Sequence, residues 1–248
     1  MAVGVGLLPG APALRDAIPV LSEAQARAEG LGLLLGPVAG RLSIWAPGDK
    51  AAPVCVDFLG GRQGYRLAAD RARHERLVKA LGRPKHASPC VADLTAGLGR
   101  DAALMAAAGF HVTLAERQPV LHALLADGLA RAANSELAAR LTLLEPGEAI
   151  QWRPSRGADP YAVYLDPMFP ARDKSAAVKQ DLRWLQALCP YPNADEERGL
   201  LAYARGLARE KIIVKRPRRA PPLAGEAPHH QHQGKTVRFD VYLPVPAV

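Results

Sequence analysis

The sequence contains few cysteines, few aromatic residues and no long apolar run. Its 3 cysteines, Cys55, Cys90 and Cys189, are far apart and form no C-x-x-C pair, which predicts buried free thiols in a reducing cytoplasm. No apolar run reaches the roughly 20 residues that span a bilayer, so no membrane partner is expected. Residues 1–16 carry no basic residue ahead of their apolar part, which argues against a signal peptide.

Basic residues outnumber acidic ones, and the excess is concentrated. The 248 residues carry a formal charge of +8, with a pI of about 9.7. Arginine and lysine crowd residues 62–85 and 205–219, a distribution that favours a phosphate-binding face and a nucleic-acid partner. A generally basic composition without a binding role is the alternative. With 49% hydrophobic residues, the chain suits one large domain or one domain with a small annex.

The chain divides into three parts by its hydrophobic pattern. Short strand candidates and one serine-capped helix predict a small α/β subdomain over residues 1–60. A basic helix over 66–82 and a linker are predicted within residues 61–88. Strands and helices alternate over 89–248, which predicts a parallel sheet with helices on both faces. The last strand, 235–243, follows no helix, so it is the candidate for antiparallel insertion.

A glycine-rich turn, "TAGLGRD", joins the first strand of this larger unit to its first helix. Gly97 and Gly99 allow the backbone to turn sharply and to approach a ligand at the helix N-terminus. A dinucleotide site, or a turn without any ligand, has the same pattern. Asp93, at the strand end, would repel a pyrophosphate and favours the ammonium and sulfonium of S-adenosylmethionine. Glu116 closes the second strand, where a carboxylate can accept hydrogen bonds from both ribose hydroxyls.

The fourth strand ends in "LDPMFP", which resembles the [Asp/Asn/Ser]-Pro-Pro-[Tyr/Phe] signature of methyltransferases that act on exocyclic base amines. Met168 replaces the usual second proline. Such an amine is a poor nucleophile, and hydrogen bonds to Asp166 and to the carbonyl of Pro167 would pull its nitrogen towards sp³ geometry. Phe169 can stack on the base. The alternative interpretation is a buried strand end with Phe169 in the core.

Several other residues are candidates for binding a ligand. Lys215 and Arg216 end the fifth strand and are predicted to hold RNA phosphate, as are Lys174 and Lys179 beside Asp166. The segment "HHQHQ" lies in a stretch without a confident strand and is predicted to be a loop. Without a neighbouring cysteine or acidic cluster, it is not expected to bind metal, and no metal site is predicted.

Taken together, the motifs resemble the ribosomal RNA small subunit methyltransferase J family over residues 54–243. The quoted similarities are "VDFLGG", "DLTAGLGRDA", "LAERQPV", "VYLDPMFP" followed by "KSAAVKQDLR", "VKRPRRAPPLA" and "GKTVRFDVY". The resemblance implies an α/β fold with a Rossmann-like S-adenosylmethionine-dependent methyltransferase sheet. It also implies methylation of guanine N2 in a guanosine near the 3′ end of small-subunit rRNA, on naked RNA or on the 30S subunit.

The resemblance also implies site residues. Where the family can have two serines after the third strand, this chain has Gly147 and Glu148, whose backbone, or whose Glu148 carboxylate, can contact the adenine. After "VDFLGG" the family tends to have a His-Arg pair, and this chain has Tyr65 and Arg66 in "RQGYRLAADRARHE" as candidates for RNA contact. The remaining cofactor contacts implied by the family are Arg100, Asp101, Glu116, Arg117 and Asp166.

Three other functions remain open. The Asp-Pro-x-Phe chemistry is shared with methyltransferases of DNA adenine and cytosine amines, although no target-recognition domain is evident. A nucleic-acid-binding module with a vestigial cofactor pocket is a second possibility. An NAD(P) oxidoreductase is the third, and Asp93 together with the lack of a convincing hydride-transfer site argues against it. No sequence feature specifies the oligomeric state.

Overall fold

The architecture comes from a computed structural model, which describes residues 3–60, 67, 69–82, 89–168, 184 and 186–245. Two β-sheets and six α-helices are assigned within these ranges. The strands are β1 Val5–Leu7, β2 Ile18–Pro19, β3 Leu33–Val38, β4 Arg41–Trp45, β5 Cys90–Asp93, β6 His111–Leu114, β7 Leu141–Leu143, β8 Ala162–Leu165, β9 Lys211–Pro217, β10 His230–Gln233 and β11 Val237–Tyr242. The helices are α1 Glu23–Ala28, α2 Ala69–Ala72, α3 Arg76–Leu81, α4 Arg100–Ala107, α5 Pro119–Arg131 and α6 Ala194–Leu207.

The N-terminal part forms a four-stranded sheet in the order β2-β1-β3-β4, with β4 antiparallel to β3. The predicted serine-capped helix is confirmed as α1, where the Ser22 side chain accepts a hydrogen bond from the Gln25 amide. The strand predicted in "PVCVDFLG" is wrong, because this segment makes only an isolated bridge between Val54 and Ile44. Val56 and Phe58 are instead buried against the larger part of the molecule.

The basic segment before the larger sheet is not one continuous helix. A turn over residues 73–75 separates α2 from α3, and α3 ends at Gly82 with a φ of 74°. Ala72 and Leu77 are both buried. In a straight helix these side chains would point about 140° apart, because successive residues rotate by about 100°. The turn allows both to face the core, so burial overrides the continuous helical pattern.

The larger sheet has seven strands in the order β10-β11-β9-β8-β5-β6-β7. The five strands from β9 to β7 are parallel to one another, and β11 lies antiparallel beside β9 as predicted. The predicted loop in "HHQHQ" is wrong, because these residues contain β10, which pairs antiparallel with β11. Its side chains are largely exposed at the sheet edge, so the segment lacks the apolar alternation that identifies a half-buried strand.

Helices pack on both faces of this sheet, as the alternating pattern predicts. Tyr164 and Ile213 belong to the core shared with α4 and α5, whereas Val163 and Val214 belong to the core beneath α6. Helix α6 begins with a capping box at Asn193. The helix predicted over 177–188 lies mostly outside the described residues. No helix in the described part of the chain is long and apolar enough to cross a bilayer.

The N-terminal sheet and the larger sheet share one apolar core, which includes residues from both. The Leu42 amide donates to Asp127 Oδ2 on α5 over 3.2 Å. Val56 lies so close to α5 that a Cβ on Gly128 would approach Val56 Cγ1 to 2.5 Å. The N-terminal part therefore braces α5, and the division at residues 60 and 88 stays a prediction. Cys55, Cys90 and Cys189 are half-buried and free.

Candidate active site

The glycine turn between β5 and α4 has the close-packed geometry that its sequence predicts. Gly97 and Gly99 have φ values of 56° and 69°, in the left-handed region that favours glycine. A Cβ on Gly99 would come within 2.7 Å of Leu125 Cδ2 and 3.1 Å of Phe58 Cε1. At Gly97 the nearest atom would be the Thr95 carbonyl oxygen at 3.9 Å, so this backbone is open to a ligand.

Glu116, at the end of β6, holds this turn in place. Its Oε2 accepts a hydrogen bond from the Gly97 amide at 2.7 Å, and its Oε1 accepts one from the Gln118 amide at 2.8 Å. Burial raises the pKa of the Glu116 carboxyl, and these two amide donors oppose that rise. A carboxylate has about four acceptor sites, so Glu116 retains capacity for further donors such as ribose hydroxyls.

A hydrogen-bonded network of three elements lies beside the turn. Lys215 Nζ, on β9, is 2.7 Å from Asp101 Oδ2 on α4 and 2.7 Å from Asp166 Oδ2 after β8. The Tyr164 hydroxyl donates to the same Asp101 oxygen over 2.6 Å. The register pairs Leu165 with Val214, which sets Asp166 level with Lys215. We call Asp93, Asp101, Glu116 and Asp166, with Lys215, the acidic site.

Side-chain alternation explains why these residues meet. Tyr164 and Asp166 are two residues apart, so both point to the α4 face of the sheet. Lys215 shares the face of Ile213, which belongs to the α4 core, whereas Arg216 shares the α6 face with Val214. Sequence reasoning did not select Tyr164 as a site residue, although its spacing of two residues from Asp166 was a usable signal.

Thr95 links the ends of β5 and β8, and sequence reasoning did not select it either. Its hydroxyl accepts a hydrogen bond from the Asp166 amide at 2.6 Å, and its own amide donates to Asp93 Oδ1 at 3.1 Å. Pro167 is buried and Met168 is half-buried, so the start of the Asp-Pro-Met-Phe segment packs against the protein. The loop therefore holds Asp166 at the strand end. Phe169 lies outside the described residues.

The acidic site carries an excess of negative groups. Asp93 is only 1% exposed, and burial raises the pKa of its carboxyl well above the ordinary value, with Asp101, Asp166 and Glu116 adding to the rise. Burial also raises the pKa of Asp166, and the Lys215 ammonium opposes this. Burial lowers the pKa of Lys215, but Asp166 and Asp101 outweigh that effect and raise it overall. Lys215 is therefore a stable cation, and the carboxylates around it favour a second one.

The remaining cofactor candidates lie around the ends of β6 and β7 and at the start of α4. Arg117 Nη1 is 3.5 Å from Glu148 Oε1 and 3.8 Å from Glu196 Oε1, in an exposed cluster. The Gly147 amide donates to the Glu116 carbonyl oxygen at 3.4 Å. Arg100 is exposed at the first residue of α4. Glu196 was missed from the sequence, since it is distant along the chain.

The candidates for RNA contact differ in their surroundings. Arg216 is 4% exposed and its Nη1 lies 3.4 Å from Glu197 Oε1, a buried position that does not favour the predicted contact with RNA phosphate. Lys215 belongs to the acidic site, where its Nζ contacts two carboxylates, so its phosphate contact stays a prediction. The other predicted contacts, Lys174, Lys179 and Arg66, lie outside the described residues.

The described residues fit S-adenosylmethionine. Gly97 leaves room for close approach, Glu116 offers acceptors, and the buried carboxylate of Asp93 favours a cation. A cavity of about 600 Å³ lies elsewhere, between α5 and the N-terminal sheet, and none of the residues lining it belongs to the acidic site. Within the described ranges, no group of three or more His, Cys, Asp or Glu residues is placed to hold a metal ion.

Comparison with known proteins defines the class of enzyme. The family described as "Putative SAM-dependent methyltransferase" matches residues 27–244. A solved SAM-dependent methyltransferase from Neisseria gonorrhoeae is 32% identical, with a TM-score of 0.71, over 98% of this chain and 97% of that one. The chain is a methyltransferase that uses S-adenosylmethionine, with the Rossmann-like fold of that class.

More similar relatives identify the particular family. A ribosomal RNA small subunit methyltransferase J from Alcanivorax borkumensis is 55% identical over 96% of this chain and 95% of its own length. One from Thioalkalivibrio sulfidiphilus is 46% identical over 82% of this chain and 80% of its own length. The chain belongs to the ribosomal RNA small subunit methyltransferase J family, which confirms the resemblance found in the sequence.

Proposed function

We propose that this enzyme methylates the exocyclic N2 amine of a guanosine in small-subunit rRNA, in the cytoplasm. The observation that carries the proposal is the position of Asp166. Its carboxylate lies at the carboxyl end of β8, joined through Lys215 to Asp101 and adjacent to the glycine turn. The names of the relatives support small-subunit rRNA as the substrate. Guanine N2 rests on the family resemblance and on the amine chemistry of the Asp-Pro-Met-Phe segment.

Asp166 acts on the acceptor amine. Its carboxylate accepts one N–H hydrogen bond and the Pro167 carbonyl accepts the other, which draws the nitrogen towards sp³ geometry and aims its lone pair. The amine loses its proton after attack, so no strong base is required beforehand. The Thr95 hydroxyl fixes the Asp166 amide, and Phe169 stacks on the base in this proposal.

Lys215 positions Asp166. Its ammonium bridges Asp166 and Asp101, and the Tyr164 hydroxyl also binds Asp101. The positive charge favours the ionised form of Asp166, which burial disfavours. Only the ionised form has both oxygens free of a proton and able to accept from the amine. Lys215 therefore keeps Asp166 able to accept a hydrogen bond from the amine, without touching the transferred methyl group.

The acidic site also holds the cofactor. When bound, S-adenosylmethionine supplies a methyl group made electrophilic by its attachment to a positively charged sulfur. Asp93 attracts the cationic part, Glu116 accepts from the ribose, and the Gly97 backbone permits close approach. The other proposed cofactor contacts are Gly99, Arg100, Asp101, Arg117, Gly147, Glu148 and Asp166.

Incubation of the protein with labelled S-adenosylmethionine and unmodified small-subunit rRNA, or 30S subunits, tests this function. We expect label in N2-methylguanosine at a single position, identified by mass spectrometry of digested RNA. Duplex DNA and an unrelated RNA serve as controls. Cofactor binding without transfer to rRNA would reject the proposed substrate, and label in DNA amines would support the alternative. Lys174, Lys179 and Arg66 stay predicted RNA contacts.

A further inference from the structure

The loop after β9, residues 218–222, is held by hydrogen bonds from buried arginine side chains. Arg216 and Arg238 both have side chains that are 5% exposed. Arg216, Arg238 and their acidic partners Glu197 and Asp240 are called the arginine clamp here. Arg238 Nη1 donates to the carbonyl oxygens of Pro217, Arg218 and Ala220 over 3.2, 2.9 and 2.7 Å, and Arg216 Nε donates to that of Pro221 over 3.0 Å.

The charges of the clamp are balanced internally. Arg238 binds Asp240 through two contacts of 2.7 and 3.0 Å, and Arg216 contacts Glu197 at 3.4 Å. Buried pairs of this kind are not available to a ligand. Their donors instead fix the backbone of the loop, so its exposed side chains project from a rigid support. Binding to a preorganised loop loses less conformational entropy than binding to a flexible one.

The loop lies against the β10–β11 turn and carries exposed basic residues. The Arg218 amide donates to the Thr236 carbonyl over 3.0 Å, next to exposed Lys235. Arg76 of α3 donates to the Gln233 carbonyl at the end of β10. Arg76, Arg218, Arg219 and Lys235, all exposed, are called the basic edge here. Within the described part of the chain, neither Arg218 nor Lys235 makes a side-chain ion pair.

The basic edge and the acidic site both lie at the carboxyl ends of the parallel strands. The register of β8 with β9 sets Asp166 level with Lys215, and the loop leaves β9 two residues later, after Pro217. Segments 217–222 and 234–236 contain no acidic residue. A nucleic acid that offers a base to Asp166 must pass its backbone along this side of the molecule. A basic surface on a fixed backbone, with no acidic residue in these two segments, fits phosphodiester oxygens.

We propose that the basic edge binds phosphates of the rRNA that flank the target nucleotide, an inference that rests on the proposed function. The phosphate contact expected at Arg216 is thereby assigned to the loop that Arg216 supports. The contacts are electrostatic and independent of sequence. They position the RNA, while Asp166 acts on the base.

The experiment compares two double variants with equal loss of charge. Arg218→Gln/Lys235→Gln removes two charges from the basic edge. Arg140→Gln/Arg156→Gln removes two from the opposite side of the sheet, because these residues precede the amino ends of β7 and β8. Binding of a labelled small-subunit rRNA transcript to the full chain is measured by anisotropy across a range of salt concentrations. Cofactor affinity and melting temperature are measured for each protein.

Each lost phosphate contact reduces the slope of log K against log salt by about 0.7 for single-stranded RNA. The basic-edge variant is therefore expected to lose about 1.4 units of slope and to bind about 25-fold more weakly at 0.1 M salt. The control variant is expected to match the wild type in slope. In steady-state assays, KM for RNA should rise while kcat is retained.

Equal slopes for the basic-edge variant, the control and the wild type would overturn the proposal and leave these residues as solvated charges. Binding of the rRNA by the wild type without methyl transfer would instead reject the proposed function while the binding surface stands. Failure of the wild type to bind the rRNA at all would reject both. A fall in slope confined to the basic-edge variant supports the surface.

Discussion

The acidic site and the arginine clamp are both clusters of partly or fully buried charge, and they meet opposite faces of the same strand, β9. In the clamp, two arginines meet two carboxylates, and spare donors bind loop carbonyls. In the acidic site, one ammonium contacts two carboxylates, and two further carboxyl groups lie near those carboxylates. A balanced cluster can only support structure, whereas an unbalanced one is ready for a cation from outside. Neighbouring residues, Lys215 and Arg216, separate these roles because β-strand side chains alternate.

The largest expected effect is a loss of stability when a substitution disrupts the arginine clamp. Asp240→Ala leaves the Arg238 guanidinium buried without its carboxylate, and loss of one partner from a buried pair costs about 3–5 kcal/mol. Denaturant unfolding should show this decrease in the free energy of unfolding. Arg198→Ala is the control, because its exposed pair with Asp195 should change stability by less than about 1 kcal/mol. Equal changes in the two variants would show that the clamp is not structural.

The next largest effect is a lower rate of methyl transfer when a substitution removes the cation of the acidic site. Lys215→Met removes the ammonium between Asp101 and Asp166, which should lower the rate of transfer by about 10²–10³-fold. The pKa of Asp166 should rise further without that cation, so the acidic limb of the pH–rate profile should move to higher pH. Single-turnover rates across pH measure both effects.

Lys211→Met provides the matched control for Lys215. Lys211 lies on the same strand face at the opposite end of β9, where its Nζ donates to the Leu81 carbonyl over 3.1 Å. Its loss should cost about 1 kcal/mol of stability and leave the pH–rate profile unchanged. Partial recovery in Lys215→Arg would support a positioning role. An unshifted profile in Lys215→Met would contradict it.

A smaller effect concerns the carboxyl group of Asp93. Burial raises the pKa of this group. Its contribution to the free energy of unfolding is therefore fully present below the ordinary value of 3.8 and is lost as pH rises through the raised value. Asp93→Asn does not titrate, and its melting temperature relative to wild type should therefore increase with pH. Its cofactor affinity should fall about tenfold, or about 1.4 kcal/mol. Parallel melting curves across pH would argue that Asp93 is not the perturbed group.

The smallest effect is expected at the exposed rim. Glu148→Gln breaks an exposed contact with Arg117, so the free energy of unfolding should change by less than about 1 kcal/mol. Glutamine retains a carbonyl acceptor, so cofactor affinity should stay within about threefold, whereas Glu148→Ala should lose more if the side chain contacts adenine. Calorimetric titration of both variants decides this. Equal affinities would leave only backbone contacts at Gly147 and Glu148.

Much of the architecture was predictable because periodic burial specifies it. Alternating strands and helices, the glycine turn and the carboxylates at strand ends are local patterns, so Asp93, Glu116 and Asp166 could be selected in advance. The edge strand β10 was missed because its exposed side chains have no apolar alternation. The helix break at 73–75 was missed because tertiary burial of Leu77 determines it.

The roles of the basic residues could not be predicted in the same way. Lys215 and Arg216 are adjacent in sequence and both cationic, and only strand orientation and the positions of α4 and α6 distinguish their roles. Both were expected to bind RNA phosphate, but their partners are Asp101, Asp166 and Glu197. Pairing across long sequence distances decides such cases, and a single sequence does not reveal it.

The most direct test of the role of Asp166 is Asp166→Ala, measured for both cofactor binding and single-turnover methyl transfer to small-subunit rRNA. We expect transfer to fall by at least about 10²-fold, because the carboxylate that orients the amine is lost. Affinity for S-adenosylmethionine should change by less than about tenfold, because Asp93 and Glu116 remain. Transfer at the wild-type rate, with cofactor bound, would contradict the assignment of Asp166 as the group that orients the amine.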